Sequence, residues 1–232
     1  MTRKVKTPEP ADGRATRWEE HRDQRRATLI EAAVAAIDEH GADASIAQIA
    51  ATAGVSKPVL YRYFADKDEL HAAVGSWGAQ QVLEQVIPTL LTDLPIRERI
   101  ARSVDGYLGV IAEHPHLFHL VVQHRTESKD PLADGRQAIT SAFARVIGDG
   151  MRHLGVDAAG AEPWAHGLVG LGLSTGEWWL TRQTMSRAAV ARYLTEFVWH
   201  AFEGIAEEYG VPLTSLDSPT RAATPIRKDH EV

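Results

Sequence analysis

Residues 45–64 carry the sequence SIAQIAATAGVSKPVLYRYF. Ser45 and Gln48 match a capping box, in which the serine oxygen accepts a bond from the helix and the glutamine side chain reaches back. Gly54 is placed to end the helix that follows Ser45, and Ser56 is placed to cap a second helix. The stretch therefore predicts two short helices joined by a tight turn, which is a helix-turn-helix.

The second of these helices has two chemically different sides. Its apolar side is formed by Val59, Leu60 and Phe64. Its polar side recurs at helical spacing and comprises Lys57, Pro58, Tyr61 and Arg62. Lysine and arginine donate to guanine edges or phosphates, a tyrosine hydroxyl bonds a phosphate oxygen, and proline offers apolar contact to a thymine methyl. The pattern predicts a DNA-reading face; the alternative is a solvated helix that carries two basic side chains.

Helical periodicity extends through nearly the whole chain, and no alternating strand of five or more residues is bounded by turn signals. The sequence therefore predicts an all-α fold. The helices are expected at residues 20–39, 45–54, 56–64, 67–87, 96–113, 116–125, 132–154, 161–185 and 187–209. Flexible polar segments are expected at both ends, as a basic arm at 1–19 and a proline-containing tail at 211–232.

The composition of the 232 residues is that of a globular protein, with 44% hydrophobic and 24% charged residues. The chain has no cysteine, which excludes disulfides, thiolate metal sites and cysteine nucleophiles. No apolar run approaches the roughly 20 residues that span a bilayer, so no membrane partner is expected. The basic N-terminus lacks the apolar segment of a secretory signal, and a cytoplasmic location is expected. The net charge is −6, although residues 1–67 hold 11 lysines and arginines against 10 acidic residues.

Residues 27–74 resemble the TetR family of transcriptional regulators. The resemblance rests on the sequence of residues 46–64 and on DKDEL at residues 66–70. It implies an N-terminal three-helix helix-turn-helix DNA-binding domain at 20–70, with a recognition helix at about 56–64. A long fourth helix would join it to a C-terminal helical ligand-binding and dimerisation domain at 71–210.

The resemblance also implies the residues that meet the DNA. Carried over position by position, they are Ser45, Gln48, Ser56, Lys57, Pro58, Tyr61, Arg62, Tyr63 and Lys67. Tyr63 departs from the family pattern, in which this position is more often histidine, and packing against the first helix is its alternative role. Arginines in or near the N-terminal arm are a second candidate set of phosphate contacts, namely Arg14, Arg17, Arg22, Arg25 and Arg26.

The family resemblance implies that the protein is a ligand-responsive repressor. Such a regulator would bind a pseudo-palindromic operator in double-stranded DNA and be released by a small, lipophilic effector. A homodimer is expected through the helices at 161–185 and 187–209, where four glycines of the first helix allow close packing within or between subunits. Aromatic and apolar candidates for the effector pocket are Tyr107, Phe118, Val122, Phe143, Trp164, Trp178 and Trp179; packing in the helical core is their alternative role. No cofactor, no metal and no catalytic residue is expected.

Three rival hypotheses accompany this interpretation. Residues 172–176, GLSTG, match a hydrolase nucleophile elbow and His200 follows them, but an elbow needs a preceding strand, whereas this segment is predicted helical. The four histidines between residues 114 and 124 offer metal ligands without a carboxylate to complete the set. In the third hypothesis the chain is a helical ligand-binding or partner-binding module that does not bind DNA.

Overall fold

The computed structural model of the protein describes residues 13–125 and 130–217. Within these two ranges the chain is helical and contains no strand, which confirms the all-α prediction. The helices are α1 (Gly13–His40), α2 (Ile46–Thr52), α3 (Lys57–Leu60), α4 (Lys67–Leu90), α5 (Ile96–Glu113), α6 (Pro115–His124), α7 (Ala133–His153), α8 (Ala161–Arg182) and α9 (Arg187–Glu208). Two short 3₁₀ helices are Ala158–Gly160 and Leu213–Asp217.

The chain divides into two compact units at the bond between Val74 and Gly75, four residues beyond the boundary that the sequence predicted. The first unit is built around the apolar face of α1, with Leu29, Ala33 and Ile37 almost fully buried. Apolar residues of α2, of the segment that begins with α3 and of the start of α4 complete this core, namely Ile49, Ala50, Leu60, Phe64, Leu70 and Val74.

The turns of the first unit follow from particular residues. Gly41 and Gly54 have φ values of +91° and +63°, a left-handed conformation that glycine adopts without a steric penalty. The predicted capping box is present: the Gln48 amide donates to the Ser45 hydroxyl, and the Ser45 amide donates to Gln48 Oε1 at 2.8 Å. Ser56 occupies the N-cap position of α3, but its side chain makes no capping hydrogen bond.

The second unit contains the remainder of α4 and helices α5 to α9. Helix α7 packs along α8, and α5 packs along α9. One core cluster lies between α5, α6, α8 and α9, and it contains Leu108, Ile111, Phe118, Trp179, Val190, Ala191 and Leu194. A second cluster joins α5 and α9 to the last 3₁₀ helix and contains Ile100, Trp199, Ala206 and Leu213.

Several predicted boundaries are wrong. The recognition helix ends at Leu60 instead of residue 64, because the Arg62 and Tyr63 amides donate to carbonyls three residues back, a turn geometry. Helix α4 continues to Leu90, since Pro88 lies in its last turn and removes only one backbone donor there.

The predicted flexible ends also need correction. Helix α1 begins at Gly13, so residues 13–19 are helical, and residues 1–12 of the expected arm lie outside the described residues. In the expected tail, residues 213–217 form a 3₁₀ helix because Leu213 is buried and Asp217 accepts a bond from the Ile96 amide; residues 218–232 lie outside the described part. No helix of the described ranges has the length and hydropathy needed to cross a membrane.

Candidate nucleic-acid interface and ligand cavity

The segment that begins with α3 presents two sides, as the sequence predicted. Leu60 and Phe64 are each 1% exposed and anchor the segment in the core of the first unit. Lys57, Pro58 and Arg62 are exposed, and the ring of Tyr61 is 47% exposed. The exposed side therefore presents two cationic side chains, an aromatic hydroxyl and an apolar ring on one short piece of backbone.

The other predicted DNA contacts differ in how exposed their side chains are and in the hydrogen bonds that these side chains already make. Ser45 and Gln48 are exposed, and their side chains bond to each other and to the backbone at the start of α2. Ser56 is exposed and makes no capping bond, whereas Tyr63 and Lys67 are half-buried. Ser45 and Gln48 therefore serve the fold of the helix-turn-helix in addition to any role at DNA.

The carboxylates of Asp66 and Glu69 accept hydrogen bonds from backbone amides at the start of α4. The Asp66 carboxylate accepts a bond of 2.8 Å from the Glu69 amide, which caps the helix. Glu69 accepts from the Ala65 amide at 2.7 Å and pairs with Arg26 of α1 at 3.4 Å. The guanidinium of Arg26 also lies 4.8 Å from the centre of the Phe64 ring. Of the basic candidates near the N-terminus, Arg26 is therefore engaged within its own unit, while Arg22 and Arg25 are exposed.

A cavity of about 590 Å³ lies within the second unit. Its walls come from α4, α5, α7, α8, α9 and the 3₁₀ helix at Leu213–Asp217, and they are mainly aliphatic and aromatic. The volume and the apolar lining are those of a small-molecule site, which typically measures about 300–1,000 Å³. Polar and charged side chains also line it, and they include Thr92, Asp93, Arg99, Ser103, Asp149, His153 and Asp217.

The seven pocket residues that the sequence suggested separate into three groups. Tyr107, Phe143 and Trp164 line the cavity. Phe118, Val122 and Trp179 instead belong to the core between α5, α6, α8 and α9. Trp178 is 42% exposed and does not line the cavity. The sequence could not separate these groups, because an aromatic residue at helical spacing suits a core as well as a cavity wall.

Tyr107 is an aromatic cavity residue that also makes a polar contact. Its hydroxyl donates to the carbonyl oxygen of Gly172 at 2.8 Å. Burial raises the pKa of the Tyr107 phenol well above its ordinary value, because the charged phenolate is disfavoured away from water. The side chain is therefore held as a neutral hydrogen-bond donor in the cavity wall.

The four glycines of α8 face two different surroundings. Gly172 and Gly176 lie against α5 and α6, where a Cβ at Gly176 would meet the Tyr107 hydroxyl at 2.9 Å and the Phe118 ring at 2.8 Å. A Cβ at Gly167 or Gly170 would meet nothing within 4 Å. Helix packing within the subunit therefore accounts for the first pair only.

The outer side of α9 carries two exposed aromatic side chains. Tyr193 and Phe197, one helical turn apart, are 56% and 63% exposed. A Cβ at Gly204, two turns beyond Phe197, would meet nothing within 4 Å. An exposed aromatic stripe of this kind on a helix is a candidate protein interface.

The geometry does not support the two enzymatic or metal-binding alternatives. Ser174 lies inside helix α8, and no strand precedes it in the part of the chain that the structure describes, so the GLSTG segment lacks the strand–turn–helix of a nucleophile elbow. Among the described residues, no group of three or more histidine, aspartate or glutamate side chains is arranged to hold a metal ion.

Two family models match this chain. Residues 29–74 match the bacterial regulatory proteins of the tetR family, and residues 85–213 match the tetracyclin repressor-like C-terminal domain. The chain belongs to the TetR family. This TetR-family chain is therefore a transcriptional regulator with a helix-turn-helix at its N-terminus.

Individual relatives agree with this assignment. An uncharacterized HTH-type transcriptional regulator of Mycobacterium tuberculosis, Rv0472c, is 36% identical over 202 residues, which cover 86% of this chain and 86% of the relative. The HTH-type transcriptional activator FasR of Mycolicibacterium smegmatis is 28% identical over 181 residues, 77% of this chain and 83% of the relative.

Solved structures show the same fold. A tetR-family transcriptional regulator from Streptomyces coelicolor superposes with a TM-score of 0.69 at 22% identity, covering 87% of this chain and 92% of that one. FadR from Bacillus subtilis, solved in complex with stearoyl-CoA, has a TM-score of 0.59 at 18% identity, covering 73% of this chain and 95% of that one.

The sequence did not predict most of the residues that line the regulator's cavity. They are aliphatic side chains from the inner faces of α4, α5, α7 and α8, such as Val86, Ile100, Val104, Ile147 and Leu168. Arg99 and Asp217 were also missed, because they are far apart in sequence and nothing in their local patterns distinguishes them from surface charges.

Proposed function

We propose that this TetR-family regulator is a ligand-responsive repressor that binds a pseudo-palindromic operator as a homodimer and is released by a small, lipophilic effector. The observation that carries this proposal is the apolar cavity of about 590 Å³ in a chain that also presents an exposed helix-turn-helix face. A regulator with both features can make its DNA affinity depend on a bound ligand.

The DNA contacts that we propose divide into two kinds. Lys57, Pro58, Tyr61 and Arg62 are exposed on the segment that begins with α3, and we assign the reading of base edges to this segment. The other assigned contacts fix the position of the protein on the phosphate backbone, and they are Ser45, Gln48, Ser56, Tyr63 and Lys67. The regulator then acts at the chromosome, in the cytoplasm.

The effector that we propose is elongated and mostly apolar. The cavity walls support this class, because apolar ligands gain free energy from leaving water in proportion to the area that they bury. The FadR structure from Bacillus subtilis, which contains stearoyl-CoA, has the same fold and offers a precedent for a long acyl ligand. Tyr107, Phe143 and Trp164 are the aromatic lining residues that we assign to ligand contact.

The dimer that we propose uses the outer sides of α8 and α9. Gly167 and Gly170 on α8, and Gly204 on α9, leave space into which another backbone can approach closely. Tyr193 and Phe197 supply exposed aromatic area on the same pair of helices. In such a dimer, effector binding and operator binding weaken each other reciprocally if each stabilises a different spacing of the two recognition segments.

The experiment that tests this function measures binding to DNA from the gene's own upstream region over a series of salt concentrations. The wild type should bind specifically, and binding should weaken steeply as salt rises because phosphate contacts release counterions. Lys57→Ala or Tyr61→Phe should weaken specific binding by about 1–3 kcal/mol if a base-reading contact is lost. Arg145→Ala, which removes an exposed positive charge from α7, is the matched control and should change binding little.

Three results would contradict parts of the proposal. Equal losses in Lys57→Ala and Arg145→Ala would show a general charge effect instead of a reading face. Lack of specific binding to any genomic fragment would favour a ligand-binding module that does not act on DNA. Lower transcription of the bound gene after deletion of the regulator would show activation instead of repression.

A further inference from the structure

The cavity of the second unit has one lysine or arginine among its described lining residues, and this residue is Arg99. Arg99 lies in the first turn of α5. Its guanidinium lies where the end of α4 and the last 3₁₀ helix meet α5, at the polar part of the cavity wall. A single cation in a mainly apolar cavity is a candidate for recognising a charged part of the ligand.

The hydrogen-bond partners of Arg99 are neutral. Its Nη1 donates to the Leu90 carbonyl at 3.2 Å, and its Nη2 donates to the Leu216 carbonyl. Its Nε is buried and has no hydrogen-bond partner. Among the described residues, no carboxylate lies within ion-pair distance of this guanidinium. In the described part of the chain, the positive charge of Arg99 therefore has two neutral acceptors and no counterion.

Two of the three carboxylates that line the cavity have partners other than Arg99. Asp217 Oδ1 accepts a bond of 2.5 Å from the Ile96 amide, at the first residue of α5. Asp149, which also lines the cavity, pairs with Arg152 at 2.5 Å. The third lining carboxylate, Asp93, is exposed to solvent. None of the three described carboxylates that line the cavity forms an ion pair with Arg99.

This arrangement favours an anionic ligand for a physical reason. A guanidinium presents five N–H donors in a planar fork, and a carboxylate or phosphate can accept two of them at once. Such charge-assisted bonds are roughly twice as strong as bonds between neutral groups, so an anion competes well with the Leu216 carbonyl. A partly buried charge also gains more from a counterion than a solvated charge does.

We propose that Arg99 recognises the anionic head group of an elongated apolar effector, with the anion taking the place of the Leu216 carbonyl on the guanidinium. This inference rests on the proposed function, since it assumes that the cavity holds the effector. The head group is either the carboxylate of a long-chain acid or a phosphate of its coenzyme A thioester. In both cases the apolar chain extends along the walls that Val104, Ile147 and Leu168 help to form.

The test is a competition experiment with the full-length protein. The neutral fluorescent probe N-phenyl-1-naphthylamine is bound first, and three competitors with the same chain then displace it. These are hexadecanoic acid, its methyl ester and hexadecanoyl-coenzyme A. The wild type should prefer at least one anionic competitor over the ester by about tenfold, which corresponds to about 1.4 kcal/mol. The anionic competitor with the larger preference identifies the head group.

The variants connect this preference to Arg99. Arg99→Gln retains a hydrogen-bond donor without the charge, and it should reduce the anion preference to within about threefold by weakening the anionic competitor alone. Arg102→Gln is the matched control, because Arg102 lies one turn further along α5, pairs with Glu98 at 2.6 Å and does not line the cavity. It should keep the wild-type preference. If thermal melting shows that Arg99→Gln is unfolded, Arg99→Lys replaces it and should show an intermediate preference.

The outcomes separate this inference from the proposed function. Displacement of the probe by ester and anions at equal concentrations in the wild type would overturn the role of Arg99 and leave the apolar cavity in place. An anion preference that persists in a folded Arg99→Gln would also overturn it. Binding of the probe to the wild type without displacement by any of the three competitors would overturn the proposed effector site and this inference together.

Discussion

The phenol hydroxyl of Tyr107 donates a 2.8 Å hydrogen bond to the backbone carbonyl of Gly172. This contact between α5 and α8 depends on Gly176, because the Tyr107 side chain occupies space that a side chain at position 176 would take. A Cβ at Gly172 would lie 3.5 Å from the ring and hydroxyl of Tyr107, and a Cβ at Gly176 would lie 2.9 Å from the hydroxyl. Gly176, which lowers the helix propensity of α8, thus leaves room for the Tyr107 side chain in the cavity wall.

We predict that Gly176→Ala lowers the free energy of unfolding by about 1–2 kcal/mol. The added methyl would meet Phe118, Ile111 and Tyr107 at 2.8–2.9 Å, and such overpacking typically outweighs the helix-propensity gain of about 1 kcal/mol. Gly106→Ala in α5, where a Cβ would come no closer to its neighbours than 3.8 Å from Gln85, is the control and should not lose stability. Urea unfolding of both variants measures the difference. Equal losses would contradict the assignment of Gly176 to packing within the subunit.

We predict that Tyr107→Phe changes how stability responds to alkaline pH. The pKa of Tyr107 in the folded protein lies above its ordinary value of about 10, so the folded state keeps a proton that the unfolded chain releases. The contribution of this group is fully present below about pH 10 and is lost as pH rises through the raised pKa. Between pH 10 and 11.5, the stability of the wild type should fall more steeply than that of Tyr107→Phe, with the difference in slope rising toward about 1.4 kcal/mol per pH unit. Parallel stability profiles of the two proteins in this range would contradict the burial of the phenol.

We predict that Ser45→Ala and Ser56→Ala differ in their effect on stability. Ser45 takes part in a reciprocal capping box at α2, and loss of such a cap costs about 0.5–2 kcal/mol. Ser56 occupies the same position at α3 without a side-chain capping bond, so its replacement should change stability by less than about 0.5 kcal/mol. Chemical denaturation followed by circular dichroism compares the two. A larger loss for Ser56→Ala would show that the Ser56 hydroxyl stabilises α3.

We predict that Phe197→Glu prevents dimer formation at micromolar protein concentration. Phe197 is 63% exposed on the outer side of α9, and a carboxylate there would be buried without a partner in the proposed interface. Ala138→Glu, on the exposed side of α7, is the control and should leave the mass unchanged. Sedimentation velocity gives the mass of each species. A wild type that sediments as a monomer, or a Phe197→Glu variant that remains dimeric, would contradict the proposed interface.

Much of the fold followed from local patterns. Ser45, Gln48 and Gly54 predicted the first turn of the helix-turn-helix, and the structure contains the capping box and the left-handed glycine there. The division of the next segment into buried Leu60 and Phe64 and exposed Lys57 was also predicted correctly. These features depend on residues within about five positions of one another, so their chemistry is visible in a single short window.

The ends of several elements were harder to predict. Helix α4 passes through Pro88, and residues 213–217 are ordered although their composition suggested a flexible tail. The order of residues 213–217 depends on the burial of Leu213 in an apolar cluster and on the hydrogen bond from the Ile96 amide to Asp217. Ile96 begins α5 and lies more than 100 residues earlier in the chain. A local pattern cannot report a partner at that distance.

The sequence alone specified an all-α fold with a helix-turn-helix, because helix periodicity, capping residues and an amphipathic recognition segment are encoded between near neighbours. Its resemblance to the TetR family indicated a transcriptional regulator. The sequence did not specify the cavity. Aromatic residues that look alike in sequence became cavity lining at Tyr107 and core at Trp179, and the charge of Arg99 acquired its neutral partners from Leu90 and Leu216. A cavity exists where packed helices fail to fill the space between them, and that depends on how distant surfaces fit together.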